Sequence, residues 1–129
     1  MSDGDLRKLF RLNLPRFDWT AVETGLTSRG VPDSNYCYEG VEGWLEMKKT
    51  RGPRVLVSPE QIAWAERRLR HGGKVFCAVR RGKDMSLFDG WAMRQLRVKR
   101  LDEVEAIGTW TGGPSNWAWS DVASILSHP

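Results

Sequence analysis

Apolar residues recur along this chain with two different periods, and the change of period divides it into elements. In residues 2–13, Leu6, Leu9 and Phe10 fall on one side of a helix, Ser2 or Asp3 stands where a cap belongs, and Pro15 ends the run. A second helix is expected over residues 18–27, with Asp18 as N-cap, an apolar face of Trp19, Val22 and Leu26, and Glu23 at its edge. Residues 28–33 (SRGVPD) read as a turn, because Gly30 permits unusual dihedrals and Pro32 blocks a helix. From there the period becomes two. Residues 35–38 form a strand, 39–43 a turn and 43–49 a second strand. Within that strand Trp44, Glu46 and Lys48 share one face, and Leu45 and Met47 share the other. A turn at 51–53 and a short strand over 54–57 follow.

Ser58-Pro59-Glu60-Gln61 is a strong helix start, with Ser at the N-cap, Pro at the first helical position and Gln placed to close a capping box. The helix runs to Arg70 or His71 and stops at Gly72-Gly73. Ile62, Ala65 and Leu69 form its apolar stripe, beside a face of Gln61, Trp64 and Arg68. Residues 74–79 read as an apolar strand, 80–84 as a basic turn, 85–88 as a strand and 89–96 as a helix. Residues 101–113 read as irregular, and 120–126 as a terminal helix capped by Ser120 or Asp121. The pattern shows no repeat and no linker. It predicts one α/β domain over residues 1–129, built on a small central mixed sheet flanked by helices.

Composition narrows the classes. With 129 residues, 40% hydrophobic and 28% charged, the chain is ordinary for a globular domain. No apolar run is long enough to span a bilayer, and the N-terminal stretch lacks the apolar centre of a secretory signal, so a cytoplasmic protein with no membrane partner is expected. Cys37 and Cys77 stand at no metal-ligand spacing to each other or to His71 and His128. That argues against a disulfide framework, a structural zinc site and a Cys–His or Ser–His–Asp hydrolase. Both cysteines are expected to be buried. The net charge of +4 is compatible with a polyanionic partner without requiring one. The seven tryptophans are assigned to core and contact surfaces.

One constellation carries chemistry. Asp33 opens one strand, and Glu46 and Lys48 share a face of the next. Two carboxylates brought together on neighbouring strands make a site for a hard cation, and Mg²⁺ takes one or two protein carboxylates with water and phosphate oxygens. Lys48 lies about 7 Å along the strand from Glu46, within reach of a water that attacks a phosphodiester. Read singly, Asp33 is a turn cap, Glu46 and Lys48 are the solvent face of a strand, and Glu23 is a helix-surface acid.

Taken together, Pro32-Asp33, a hairpin, then Glu46-Met47-Lys48, resembles the PD-(D/E)XK nuclease signature. Ser58-Pro59-Glu60-Gln61 followed by Trp64 is similar to the S-x-x-Q helix of the Holliday-junction-resolvase-like and VRR-Nuc branches of that superfamily, as are Gly30-Val31-Pro32-Asp33 and the strand after Gly72-Gly73. The resemblance covers residues 23–79. It implies a restriction-endonuclease-like fold and a Mg²⁺-dependent endonuclease on DNA, branched DNA included, with Mn²⁺ as substitute. It implies Asp33 and Glu46 as metal-binding carboxylates, Lys48 as the catalytic lysine, Gln61 as their support, the Met47 carbonyl as a further ligand, and Glu23 as a first-helix acid. It also implies a homodimer and a phage- or mobile-element-like source, hence a host cytoplasm. The alternative is a domain of the same fold that binds nucleic acid without turnover, and RNA as substrate stays open. Candidate DNA contacts are Arg29, Lys49, Arg51, Arg68, Arg80 and Arg81, with Arg94, Arg97 and Arg100 from the densest basic run. Each of these also reads as a solvated surface charge.

Overall fold

The computed structural model describes residues 4–22 and 29–129. Among these residues six strands form one sheet in sequential order: β1 (Asp18–Ala21), β2 (Ser34–Tyr38), β3 (Val41–Lys49), β4 (Val75–Arg81), β5 (Asp84–Asp89) and β6 (Gly108–Trp110). All neighbours are antiparallel except β3 and β4, which run parallel and are joined through helix α2 (Pro59–Arg70). Parallel neighbours need such a crossover, whereas the other pairs close through shorter connections. The mixed sheet with flanking helices is the fold class expected from the sequence.

Alternation along the central strands builds two cores. Leu45 and Met47 of β3, Phe76 and Ala78 of β4, and Met85 and Leu87 of β5 face helix α1 (Gly4–Asn13) and helix α4 (Trp119–Leu126). There they meet Leu6, Phe10, Val122 and Leu126. Val75, Cys77 and Val79 of β4 and Phe88 of β5 face the other way, toward Ile62, Trp64 and Ala65 of α2 and Met93 and Leu96 of helix α3 (Met93–Val98). Glu46 and Lys48 share their strand face with Trp44, which packs on this second core. The face that reads in sequence as polar is therefore buried beneath α2.

Several expectations are corrected. Residues 18–21 form β1 rather than the start of a helix. Pairing Trp19 with Tyr36, and stacking it on Phe17 with centroids 5.6 Å apart, outweighs the helical spacing of Trp19 and Val22. Residues 23–27 of that predicted helix, Glu23 included, lie outside the described residues. The β2–β3 turn is two residues, Glu39 and Gly40, both with positive φ, so β3 begins at Val41. Residues 54–57 make no strand, although Val55 and Val57 are buried. Gly108–Trp110 adds an edge strand within the stretch read as irregular. No side chain caps α4, which starts at Trp119 after Ala118. Cys77 is buried, but Cys37 is exposed. Its place on β2 alternates with buried Tyr36, which turns it to the opposite side of the strand.

Candidate active site

Strand β2 ends before β3 does. Ser34 pairs with Leu45, and the same register carried one step further sets Asp33 opposite Glu46. One step beyond stands Pro32, which has no N–H and cannot extend the ladder. The Met47 amide is left without a backbone partner on that side and donates instead to Asp33 Oδ2 at 3.2 Å. The Asp33 carbonyl accepts from the Val22 amide at 2.9 Å, so the turn is held from both flanks.

The result is a pair of carboxyls facing each other out of water, Asp33 7% and Glu46 4% exposed. Burial is the main cause that raises both above their ordinary values. For Glu46 the charge of Asp33 adds to it and brings the group to about 8, with Lys48 pulling the other way. Two buried carboxyls this close resist carrying both charges at once.

Gln61 fixes Glu46 from the α2 side. Its Oε1 accepts from the Ser58 amide at 3.0 Å, and its Nε2 donates to Glu46 Oε2 at 2.9 Å. Ser58 Oγ accepts in return from the Gln61 amide at 3.1 Å. The capping box therefore dictates which end of the amide points at Glu46: the carbonyl is taken by the helix start, and only the NH₂ is left to reach the acid.

Two buried side-chain oxygens, Asp33 Oδ1 and its neighbour Ser34 Oγ, have no hydrogen-bond partner among the described residues. A buried carboxylate oxygen without a donor is costly. A divalent cation would satisfy it, so the residues present fit a metal here. Among the described residues no group of three or more His, Cys, Asp or Glu stands close enough to hold a metal ion.

The carboxyls open into a cleft of about 470 Å³, lined by Arg7, Arg29, Gly30, Glu60 and Gln61 among others. Lys48 is not part of that lining. It lies one alternation further along β3, 4% exposed, and acts on Glu46 through its charge. Arg7 is the residue that sequence reading misses. It stands next to Leu6 on α1 and brings Nη1 to 3.9 Å from Asp33 Oδ2. Only the docking of α1 against β3 reveals it, because on the helix alone it is one of two arginines.

The proposed DNA contacts divide into two groups. Arg29 lies at the cleft, while Lys49, Arg51 and Arg80 line a neighbouring hollow of about 290 Å³. Arg81 lines a groove beyond, beside Asp84 and Asp102. Arg80 also donates to the Gly82 carbonyl and sits over the Trp117 ring, and the others are likewise engaged within the protein. The Arg68 guanidinium sits over the rings of Trp44 and Trp64, 5.2 and 4.6 Å from their centroids. Arg94 makes a bidentate pair with Glu66, Arg97 donates to the Val57 carbonyl at 2.6 Å, and Arg100 pairs with Asp102.

The fold is similar to that of a Holliday junction resolvase. The solved structure is that of the enzyme from the archaeal hyperthermophile Archaeoglobus fulgidus. It is 15% identical, the match covers 67% of this chain and 74% of that one, and the TM-score is 0.52. No family model and no curated protein matches the chain. At that identity the likeness shows the α/β fold. Among the described residues no helix is long and apolar enough to cross a membrane.

Proposed function

We propose that this protein is a metal-dependent endonuclease that hydrolyses phosphodiester bonds in DNA, with branched DNA as its substrate class. The observation that carries the reading is the buried Asp33–Glu46 pair, with one carboxylate oxygen unpartnered among the described residues and Gln61 bracing the other acid. The likeness in fold to a Holliday junction resolvase supports the choice of a branched substrate.

Asp33, Glu46 and the Met47 carbonyl would hold Mg²⁺ or Mn²⁺, which when bound acidifies water and draws charge from the phosphate. The chain's own residues do the rest. Gln61 keeps Glu46 from turning away from Asp33. Lys48 orients the attacking water and offsets negative charge there. Arg7 and Arg29, at the cleft, meet the phosphate backbone and position it without reading sequence. Glu23, which lies outside the described residues, is proposed as a further acid for the metal. One such site cuts one strand. Cutting both strands of a junction therefore calls for two copies of the chain related by a two-fold axis.

The test is cleavage of supercoiled plasmid, linear duplex and a four-way junction side by side, by wild type and Glu46→Gln, with and without Mg²⁺ or Mn²⁺. The expected result is metal-dependent cleavage by wild type alone, fastest on the junction. DNA binding by wild type without cleavage under any condition would favour a binding domain of the same fold.

A further inference from the structure

The turn that carries Asp33 touches the first turn of α2 backbone to backbone. Gly30 has φ +84°, and a β-carbon there would overlap the Glu60 carbonyl and stand 2.8 Å from the Gln61 amide nitrogen. Only a hydrogen fits. The two residues that meet across this contact lead directly to the site. Three positions after Gly30 is Asp33, and Gln61 is the residue that holds Glu46. Little in between can absorb a shift. Val31 packs against the core beneath α2, and Pro32 is buried with its φ restrained by the ring.

We propose that Gly30 is a positioning residue, whose close contact with the Glu60–Gln61 peptide sets the separation between Asp33 and Glu46. An L side chain at this position must push the turn away from α2 or twist the helix start, and either motion pulls the two carboxyls out of register. The consequence for metal and substrate rests on the proposed function, whereas the geometric claim does not.

Gly72 supplies the control. Its φ is +86°, and nothing lies within 4 Å of the place its β-carbon would take. Gly72→Ala therefore carries the same left-handed backbone penalty without the contact. The experiment compares ¹⁵N-labelled wild type, Gly30→Ala and Gly72→Ala, first without metal. The Met47 backbone amide and the Gln61 side-chain amide are the reporters, since they donate to Asp33 and Glu46. In Gly30→Ala both cross-peaks are expected to move, and in Gly72→Ala neither. The metal-free melting temperatures of the two variants should agree within about 5 °C. With Mg²⁺, the rise in melting temperature should vanish, and junction cleavage should fall at least about 10²-fold, in Gly30→Ala only. Unmoved cross-peaks in Gly30→Ala overturn the proposal. So does a Gly30→Ala chain that does not fold, because the contact would then hold the fold rather than the site. A wild type that ignores Mg²⁺ removes the metal reading, while the two cross-peaks still decide the role of Gly30.

Discussion

Asp33 and Glu46 are forced together by strand register and held from water by α2, and this sets the response of the protein to pH. Glu46 binds its proton more tightly in the fold, at about 8, than its ordinary 4.5. Folding is therefore favoured where the group is protonated, below its ordinary value, and that contribution is lost as pH rises toward 8. Asp33, also raised, acts in the same direction. The metal-free melting temperature should fall between about pH 5 and pH 8 by several degrees, and Glu46→Gln should flatten the profile. A wild-type profile that rises over this range would sink the assignment of a strained acid pair. Metal at about ten times its dissociation constant should restore roughly 1.4 kcal/mol at the alkaline end. Lys48→Ala tests the chemistry itself. Cleavage should drop at least about 10²-fold with the fold intact by circular dichroism, and wild-type-like turnover would remove Lys48 from the mechanism.

At the scale of elements, the start of α2 does two jobs with one side chain. Ser58 and Gln61 close the capping box, and the spare end of the Gln61 amide supports Glu46. The two jobs separate by mutation. Ser58→Ala should cost about 1 kcal/mol of stability, read from denaturant melts, and leave cleavage within a few-fold of wild type. Gln61→Leu should cost a similar amount through the lost cap and, in addition, slow cleavage by at least about tenfold, because Glu46 loses its donor. Equal effects of the two substitutions on turnover would mean that the helix start, not the Gln61–Glu46 bond, is what the site needs. The helix itself was legible, since Ser-Pro-Glu-Gln before an apolar stripe is a local code. Strand β1 was not. Trp19 stands at helical spacing from Val22 and Leu26, yet Asp18–Ala21 form a strand because β2 offers an edge lined by Tyr36 and its aromatic neighbours.

Across the whole molecule, positive charge is arranged unevenly about the cleft. Arg7 and Arg29 line it, whereas Arg94 is bound to Glu66 and Arg97 to a backbone carbonyl. Arg7→Gln and Arg29→Gln should each weaken junction binding and lower the slope of log affinity against log salt by about 1. Arg94→Gln should change neither. Fluorescence anisotropy across a salt series measures this, and a full-sized loss at Arg94 would move the footprint to α3.

The chain's linear pattern determined whatever depends on near neighbours. The start of α2 at Ser58, the alternation that puts Glu46 and Lys48 on one face of β3, and the hairpin that sets Asp33 and Glu46 on neighbouring strands all follow from residues within about fifteen positions of one another. Local propensity and strand period act over that range. Tertiary structure alone decided which of these groups are dry and what meets them. Helix α2 covers a strand face that alternation reads as solvent-facing, α1 brings Arg7 to Asp33, and Gly30 meets the Glu60 carbonyl. It also tied Arg94, Arg97 and Arg100 to partners within the protein, although they form the densest basic run of the sequence. The physical reason is the same in each case. Burial, desolvation and charge pairing depend on what packs on top of a residue, and the packing partner is set by the closure of the sheet rather than by neighbours along the chain.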